Sequence, residues 1–322
     1  MRKLLNGLVV FAMLFSLLAM LAPSVATAQE GTPTPGGRYV FVTPLMANPY
    51  WDVVEKGWRD AAAKYGVQAD YVGPTALSLD EMIKYMETAI AQKVDGIATM
   101  ALNAEAVKKP IADARAAGIP VVLVDTDSPE SERNAYAGTS NYEAGKAAGE
   151  FMAKVTGGKA VIGILTGRLD QPNLVQRVEG FREAIKAYPD MKEVDIQPDD
   201  SDLQKAIQKT EAMLLAHPDI TAFFGSEGFG APALCKVIKE AGKAGEIAIV
   251  GFDDLDESLD CIREGVVNGV VVQKQYVMGY LALEYLLKIK QGQPVPDVTD
   301  TGVVLVTKEN VDTYKEETTM VK

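Results

Sequence analysis

Asp95-Gly96-Ile97-Ala98 opens a stretch that passes through a loop and a helix ending Ala116-Ala117-Gly118 to reach Val121-Val122-Leu123-Val124-Asp125. The same grammar returns later in the chain. Asp219-Ile220-Thr221-Ala222 leads through a helix ending Glu240-Ala241-Gly242 to Ile249-Val250-Gly251-Phe252-Asp253. Short, continuously apolar runs of this kind suit strands covered on both faces, and the longer amphipathic segments between them suit the helices that do the covering. The fold class is therefore α/β, with parallel sheets flanked by helices, and the duplication predicts two lobes of similar fold. Each half places an aspartate just past a strand. Ligands of open α/β sheets sit beyond the carboxyl ends of strands, so the two carboxylates are expected to converge on a cleft.

Working outward, Tyr39 to Thr43, Ile97 to Met100, Pro120 to Val124, Val161 to Leu165, Ala222 to Phe224 and Ile247 to Gly251 read as strands. Leu79, Met82, Ile83, Met86 and Ile90 share one helical face, with Ser78 and Glu81 at the spacing of a reciprocal N-terminal cap. Ser201 and Gln204 repeat that spacing before Leu203, Ile207 and Leu214, and His217-Pro218 stops the helix. In the tail, Gly269 to Gln273 reads as a strand, Tyr276 to Ile289 as a helix and Val303 to Val306 as a strand. These elements are expected to cross between the lobes and restrict their movement to a hinge. The expected division is a first lobe of residues 38–139 plus 274–300 and a second of residues 140–273 plus 301–322.

Arg2 and Lys3, the apolar run Leu8 to Leu21 and the small residues of Ala26-Thr27-Ala28 have the pattern of a cleaved export signal over residues 1–28. A membrane anchor is the competing reading, but the run is short for a bilayer core. Residues 29–37, which include Gly31-Thr32-Pro33-Thr34-Pro35-Gly36-Gly37, read as a flexible leader. The formal charge is −12, and losing Arg2 and Lys3 with the signal makes it −14. That balance disfavours nucleic-acid binding, which needs clustered cations. The two cysteines, Cys235 and Cys261, could pair in an oxidising compartment or remain as buried thiols.

Polar and aromatic residues cluster where the strand-like runs end. After Val40-Phe41-Val42 comes Asn48-Pro49-Tyr50-Trp51, whose rings could lie on the C–H faces of a sugar or polyol, or one could belong to the core. Asn48 offers donor and acceptor atoms but could equally shape the turn. Asp125 and Asp253 are suited to accepting hydrogen bonds from neighbouring hydroxyls, with helix capping as the alternative. Arg177 carries a donor fork and lies four residues after Asn173 at the opening of a helix, so both can face one side. A surface salt bridge is the other use for Arg177. Gln273 could bond a solute at a lobe junction or satisfy hinge backbone. Gly225-Ser226-Glu227-Gly228-Phe229-Gly230 has the wrong spacing for a dinucleotide loop, and Glu227 would repel phosphate. No nucleophile motif accompanies the carboxylates, and the lone His217 with two distant cysteines makes no zinc spacing, so neither an enzyme, a metal site nor a cofactor is expected.

Asn48-Pro49-Tyr50-Trp51, Val124-Asp125, Asn173 through Phe181, Gly251-Phe252-Asp253 and Val272-Gln273 occur in this order, and the chain resembles the ribose-binding-protein-like family over almost all of residues 38 to 322. The resemblance implies two Rossmann-like lobes joined by a multi-strand hinge that close on a solute and deliver it to an ABC permease with its ATPase, in the periplasm or outside the cell. It points to Tyr50, Trp51, Asn173 and Arg177 as ligand contacts, and to Ser226 or Glu227 for a polar contact from the glycine-rich loop. Glu227 departs from the more familiar Asn-Asp pattern there. Thr126 follows Asp125 where ribose binders of this kind carry an arginine, and Ser201 lies where an aromatic often closes the site. The expected ligand is thus a neutral pentose, hexose, inositol or sugar alcohol, and the chain a monomer. A chemoreceptor module, or a binder of nucleosides or furanone-like signals, is the alternative reading; a repressor's effector module would follow a DNA-reading helix pair where this chain has its apolar N-terminal run.

Overall fold

A computed structural model describes residues 36–319 and Val321, so the expected export signal and most of the leader lie outside the described residues. The first sheet contains β1 (Arg38–Val42), β2 (Gln68–Val72), β3 (Gly96–Thr99), β4 (Val121–Val124), β5 (Ala135–Gly138) and β11 (Val298–Asp300). The second contains β6 (Lys159–Thr166), β7 (Asp190–Pro198), β8 (Ala222–Gly225), β9 (Ala248–Phe252), β10 (Gly269–Gln273) and β12 (Val303–Thr307). Their orders, β2-β1-β3-β4-β5-β11 and β7-β6-β8-β9-β10-β12, correspond strand for strand. The central strands β4, β8 and β9 are buried on both faces, which is why the sequence reads there as runs of Val, Ile, Leu and Phe with Ala and Gly and no polar residue. One departure from the expected parallel sheets stands at the edge of the second: β12 runs antiparallel to β10.

The helices are α1 (Pro49–Tyr65), α2 (Leu79–Ala91), α3 (Lys108–Ala116), α4 (Asn141–Thr156), α5 (Pro172–Ile185), α6 (Leu203–Ala216), α7 (Gly230–Glu240), α8 (Asp256–Arg263), α9 (Gln275–Lys290) and α10 (Lys315–Thr319). Apolar clusters lie on both faces of each sheet. The α2 face buries Met82 and Met86, and the Ser78 hydroxyl accepts the Glu81 N–H at 3.3 Å. At α6 the expected cap is displaced by one residue. Ser201 sits in the left-handed region with φ of 53°, and Asp202 caps instead, its Oδ1 accepting the Lys205 N–H at 2.9 Å. A carboxylate is a strong cap at the positive end of a helix, which decides the competition.

The chain passes between the sheets after β5, after β10 and between β11 and β12. These crossings place α4 against α5 under the second sheet, and α9 against α1 under the first. Cys235 on α7 and Cys261 on α8 form a disulfide with α-carbons 6.3 Å apart.

Candidate functional site

Asp125 and Asp253 each occupy the first position after a central strand, β4 and β9, and both take a left-handed backbone, with φ of 59° and 63°. Aspartate enters that region more readily than most residues because its short side chain bonds locally. The turn stops the strand and keeps each carboxylate at the strand's end. Both acids line one cavity between the sheets, about 910 Å³ with the space open to solvent included.

Asp125 Oδ1 accepts the Tyr50 hydroxyl at 2.6 Å, and Oδ2 accepts the Thr126 hydroxyl at 2.7 Å. Asn173, at the start of α5, approaches the same Oδ2 at 3.5 Å and so reaches from the second sheet's side to the first. Asp253 Oδ1 accepts from Gln273 Nε2 at 3.0 Å, and Gln273 Oε1 accepts the Thr139 hydroxyl at 2.9 Å. The Thr139 carbonyl accepts from Asn141 Nδ2 at 3.1 Å, and Asn141 Oδ1 accepts from Arg177 Nε at 2.9 Å. Gln273 and Thr139 stand at two of the crossings, so one polar chain ties the hinge to the cleft. Asn141 has no counterpart among the sequence-predicted site residues; it is one of several polar residues in its stretch, and only its packing singles it out.

Arg177 is 2 % exposed. Its Nη1 donates to the Ser226 carbonyl at 3.0 Å, and its guanidinium lies 4.3 Å from the centre of the Phe252 ring. Nη2 is buried and has no hydrogen-bond partner, which leaves donor capacity at the cavity wall. A surface salt bridge is therefore not the use made of this residue. Arg177 is the only cation among the described residues lining the cavity, against Asp125, Asp200, Glu227 and Asp253. Burial pushes Asp253 up to about 6, moderated by the charge of Arg177 and the bond from Gln273. Burial, with Asp125 beside it, raises the Tyr50 phenol well above its ordinary value and keeps it a donor.

Asn48, Tyr50, Trp51, Asp125, Asn173, Arg177, Glu227, Asp253 and Gln273 all line this cavity. Thr126 and Ser226 do not. Both are buried one layer back, where Thr126 bonds Asp125 and the Ser226 hydroxyl donates to Thr166 Oγ1 at 2.8 Å. Asn48 also caps α1, accepting the Tyr50 N–H at 3.0 Å, so its turn-shaping role is present along with its place on the wall. Trp51 is 8 % exposed and belongs to the first lobe's core, its ring tilted against Phe41. Phe229 adds an aromatic side chain from the second lobe, and Leu45, Leu77, Met100 and Leu255 add apolar wall. These loop residues follow no period, so the sequence carries no signal for them.

The match to the periplasmic binding protein domain spans residues 39–294, and the chain belongs to that family. Among solved structures it is similar to GanP, a glucose-galactose binding protein from Geobacillus stearothermophilus, with TM-score 0.84 and 35 % identity over 87 % of this chain and 100 % of that one. An ABC transporter solute-binding protein from Burkholderia graminis, in complex with D-arabinose, has TM-score 0.84 and 33 % identity over 88 % of this chain and 99 % of its own. The xylose/arabinose-binding protein XylF of Sulfolobus acidocaldarius is 26 % identical over 87 % of this chain and 73 % of its own length.

Proposed function

We propose that this chain is an exported solute-binding protein that captures a neutral sugar or polyol between two lobes and delivers it, as a monomer, to an ABC permease and its ATPase. The lobes in this reading are residues 38–139 with 274–300 and residues 140–273 with 301–322, and export uses residues 1–28 as a cleaved signal. The observation that carries it is the pairing of Asp125 and Asp253 at equivalent strand ends across one cavity, with a spare Arg177 donor between. The sugars named for its relatives agree with that chemistry.

A carboxylate accepts from two neighbouring hydroxyls, and a guanidinium donates to a hydroxyl or ring oxygen. The Tyr50 and Trp51 rings and Phe229 remove the C–H faces from water. Because the polar set is divided between the lobes, only closure completes a solute's hydrogen bonds, and the solute stabilises the closed population by that difference. A micromolar affinity needs about 8 kcal/mol, which a few such bonds and ring burial supply. Calorimetry of the mature protein against D-arabinose, D-xylose, D-ribose, D-glucose, D-galactose and myo-inositol tests this. Saturable binding of at least one is expected. Binding of none, with a folded protein, would remove the neutral-sugar reading.

A further inference from the structure

Asp199 and Glu227 stand just past the ends of β7 and β8, on either side of β6 in the second lobe, and nothing in the site described above employs Asp199. β7 and β8 flank β6, and Thr166 at the end of β6 ties the three ends together. Its carbonyl accepts the Asp199 N–H at 2.8 Å, and its hydroxyl oxygen accepts from Ser226 Oγ at 2.8 Å, one residue before Glu227. Asp199 is fully buried; Oδ1 accepts the Ser201 N–H at 2.8 Å, while Oδ2 has no partner. Glu227 lines the cleft, nine-tenths buried, and its Oε1 accepts the Phe229 N–H at 3.0 Å.

One nearby cation, Arg177, faces Glu227 and is shared with Asp253; the others are engaged elsewhere. Arg177 is held by Asn141 and the Ser226 carbonyl, Arg168 pairs with Asp170, Lys205 pairs with Asp200, and Lys209 donates to Gln197. The other charged groups facing the two acids, Asp200, Asp202 and Asp253, are themselves acidic. The N-terminus of α6 favours charge on Asp199, but the unpartnered Oδ2 shows that this favour is incomplete. Two buried carboxyls that make no ion-paired hydrogen bond, with the one facing cation shared with Asp253, cannot both stay ionised cheaply; retaining a proton costs less than burying the second charge.

We propose that Asp199 and Glu227 hold one proton between them at neutral pH, and that Glu227 consequently faces the cleft as a neutral acid able to donate as well as accept a hydrogen bond. In that form it does what a glutamine would do, and it sets specificity by meeting an acceptor on the solute. Burial raises Asp199 to about 7 and Glu227 well above the usual carboxylate range, in the direction the geometry requires. The shared proton belongs to the ligand-free protein; only the donor role rests on the sugar-binding reading.

Two measurements test it. A carboxyl raised in the folded state stabilises below its unfolded value, and that contribution is lost as pH rises through the folded one. The melting temperature of the ligand-free mature protein should therefore fall between pH 6.5 and 9, and fall less in Asp199→Asn and Glu227→Gln. Equal slopes in all three would overturn the shared proton. With D-arabinose as probe, wild-type affinity should drop about tenfold from pH 7 to 9 as the donor is lost, and Glu227→Gln should change less than about twofold over that range. Parallel pH profiles for the two would overturn the donor role. Absence of D-arabinose binding at every pH would count against the sugar reading, while the melting profiles would still decide the proton.

Discussion

Arg177 shows what burial does to a residue type usually found on surfaces. Its fork is held by Asn141, the Ser226 carbonyl and the Phe252 ring, so little side-chain entropy remains to be lost when Nη2 meets a solute. Arg177→Ala should weaken the tightest sugar by about 2 kcal/mol in calorimetry, since the acceptors it serves would be left unpaired. Tyr50→Phe removes the hydroxyl that orients Asp125 and should cost roughly 1 kcal/mol of affinity without altering the melting temperature by more than a few degrees. Asp253, raised to about 6 by burial, gives its own signature. Its stabilising contribution is present at pH 4 and fades as pH rises through 6, so Asp253→Asn should flatten the melting profile between pH 4.5 and 6.5. Asp125 and Asp253 were readable in the sequence because the repeat marks both. The distinction between Glu227 on the wall and Ser226 behind it was not, because adjacent loop residues acquire different directions only from backbone torsions.

At the scale of elements, the two halves share a helix crossing built on glycines. Gly57 follows Pro49 in α1 as Gly180 follows Pro172 in α5, and each packs where a Cβ would overlap a carbonyl oxygen, that of Tyr276 or of Tyr142. Gly279 in α9 and Gly145 in α4 answer from the partner helices, against the carbonyls of Val54 and Arg177. Alanine at Gly57, Gly180 or Gly279 should destabilise by about 1–3 kcal/mol in urea unfolding, through overpacking. Gly145→Ala should in addition weaken sugar binding, because the displaced backbone is that of Arg177; unchanged affinity would show that α5 absorbs the shift elsewhere. The Cys235–Cys261 bridge joins α7 to α8 with a separation of 26 residues, and replacing both by serine should cost about 3 kcal/mol by releasing the unfolded loop. The central strands were legible as apolar runs except β5, whose Ala135-Tyr136-Ala137-Gly138 is too short and too rich in small residues to stand out although it is fully buried. The edge strands β2, β7 and β11 were not, since Gln68, Asp70, Lys192, Glu193 and Thr299 give them half-exposed, mixed faces.

Across the whole molecule, three chain crossings join two similar sheets, and the polar chain from Asp253 through Gln273, Thr139 and Asn141 to Arg177 runs past two of them. A solute that engages both lobes should therefore act at the hinge as well as in the cleft. Small-angle scattering should record a decrease in the radius of gyration on saturation with a bound sugar, and the melting temperature should rise with ligand concentration in proportion to RT ln(1 + [L]/Kd). A rise in melting temperature with no compaction would mean that binding does not close the lobes.

The sequence by itself determined the α/β class, the duplication and the two aspartates past equivalent strands, because these rest on short-range periodicity and on residue types whose spacing is repeated. Tertiary structure alone decided which polar residues share a wall, that Cys235 meets Cys261, that β12 turns antiparallel, and that Asp199 and Glu227 are both buried past the strands flanking β6. Those outcomes join residues far apart in the chain, and their energies depend on burial and on which charges stand nearby, quantities that exist only once the chain has folded.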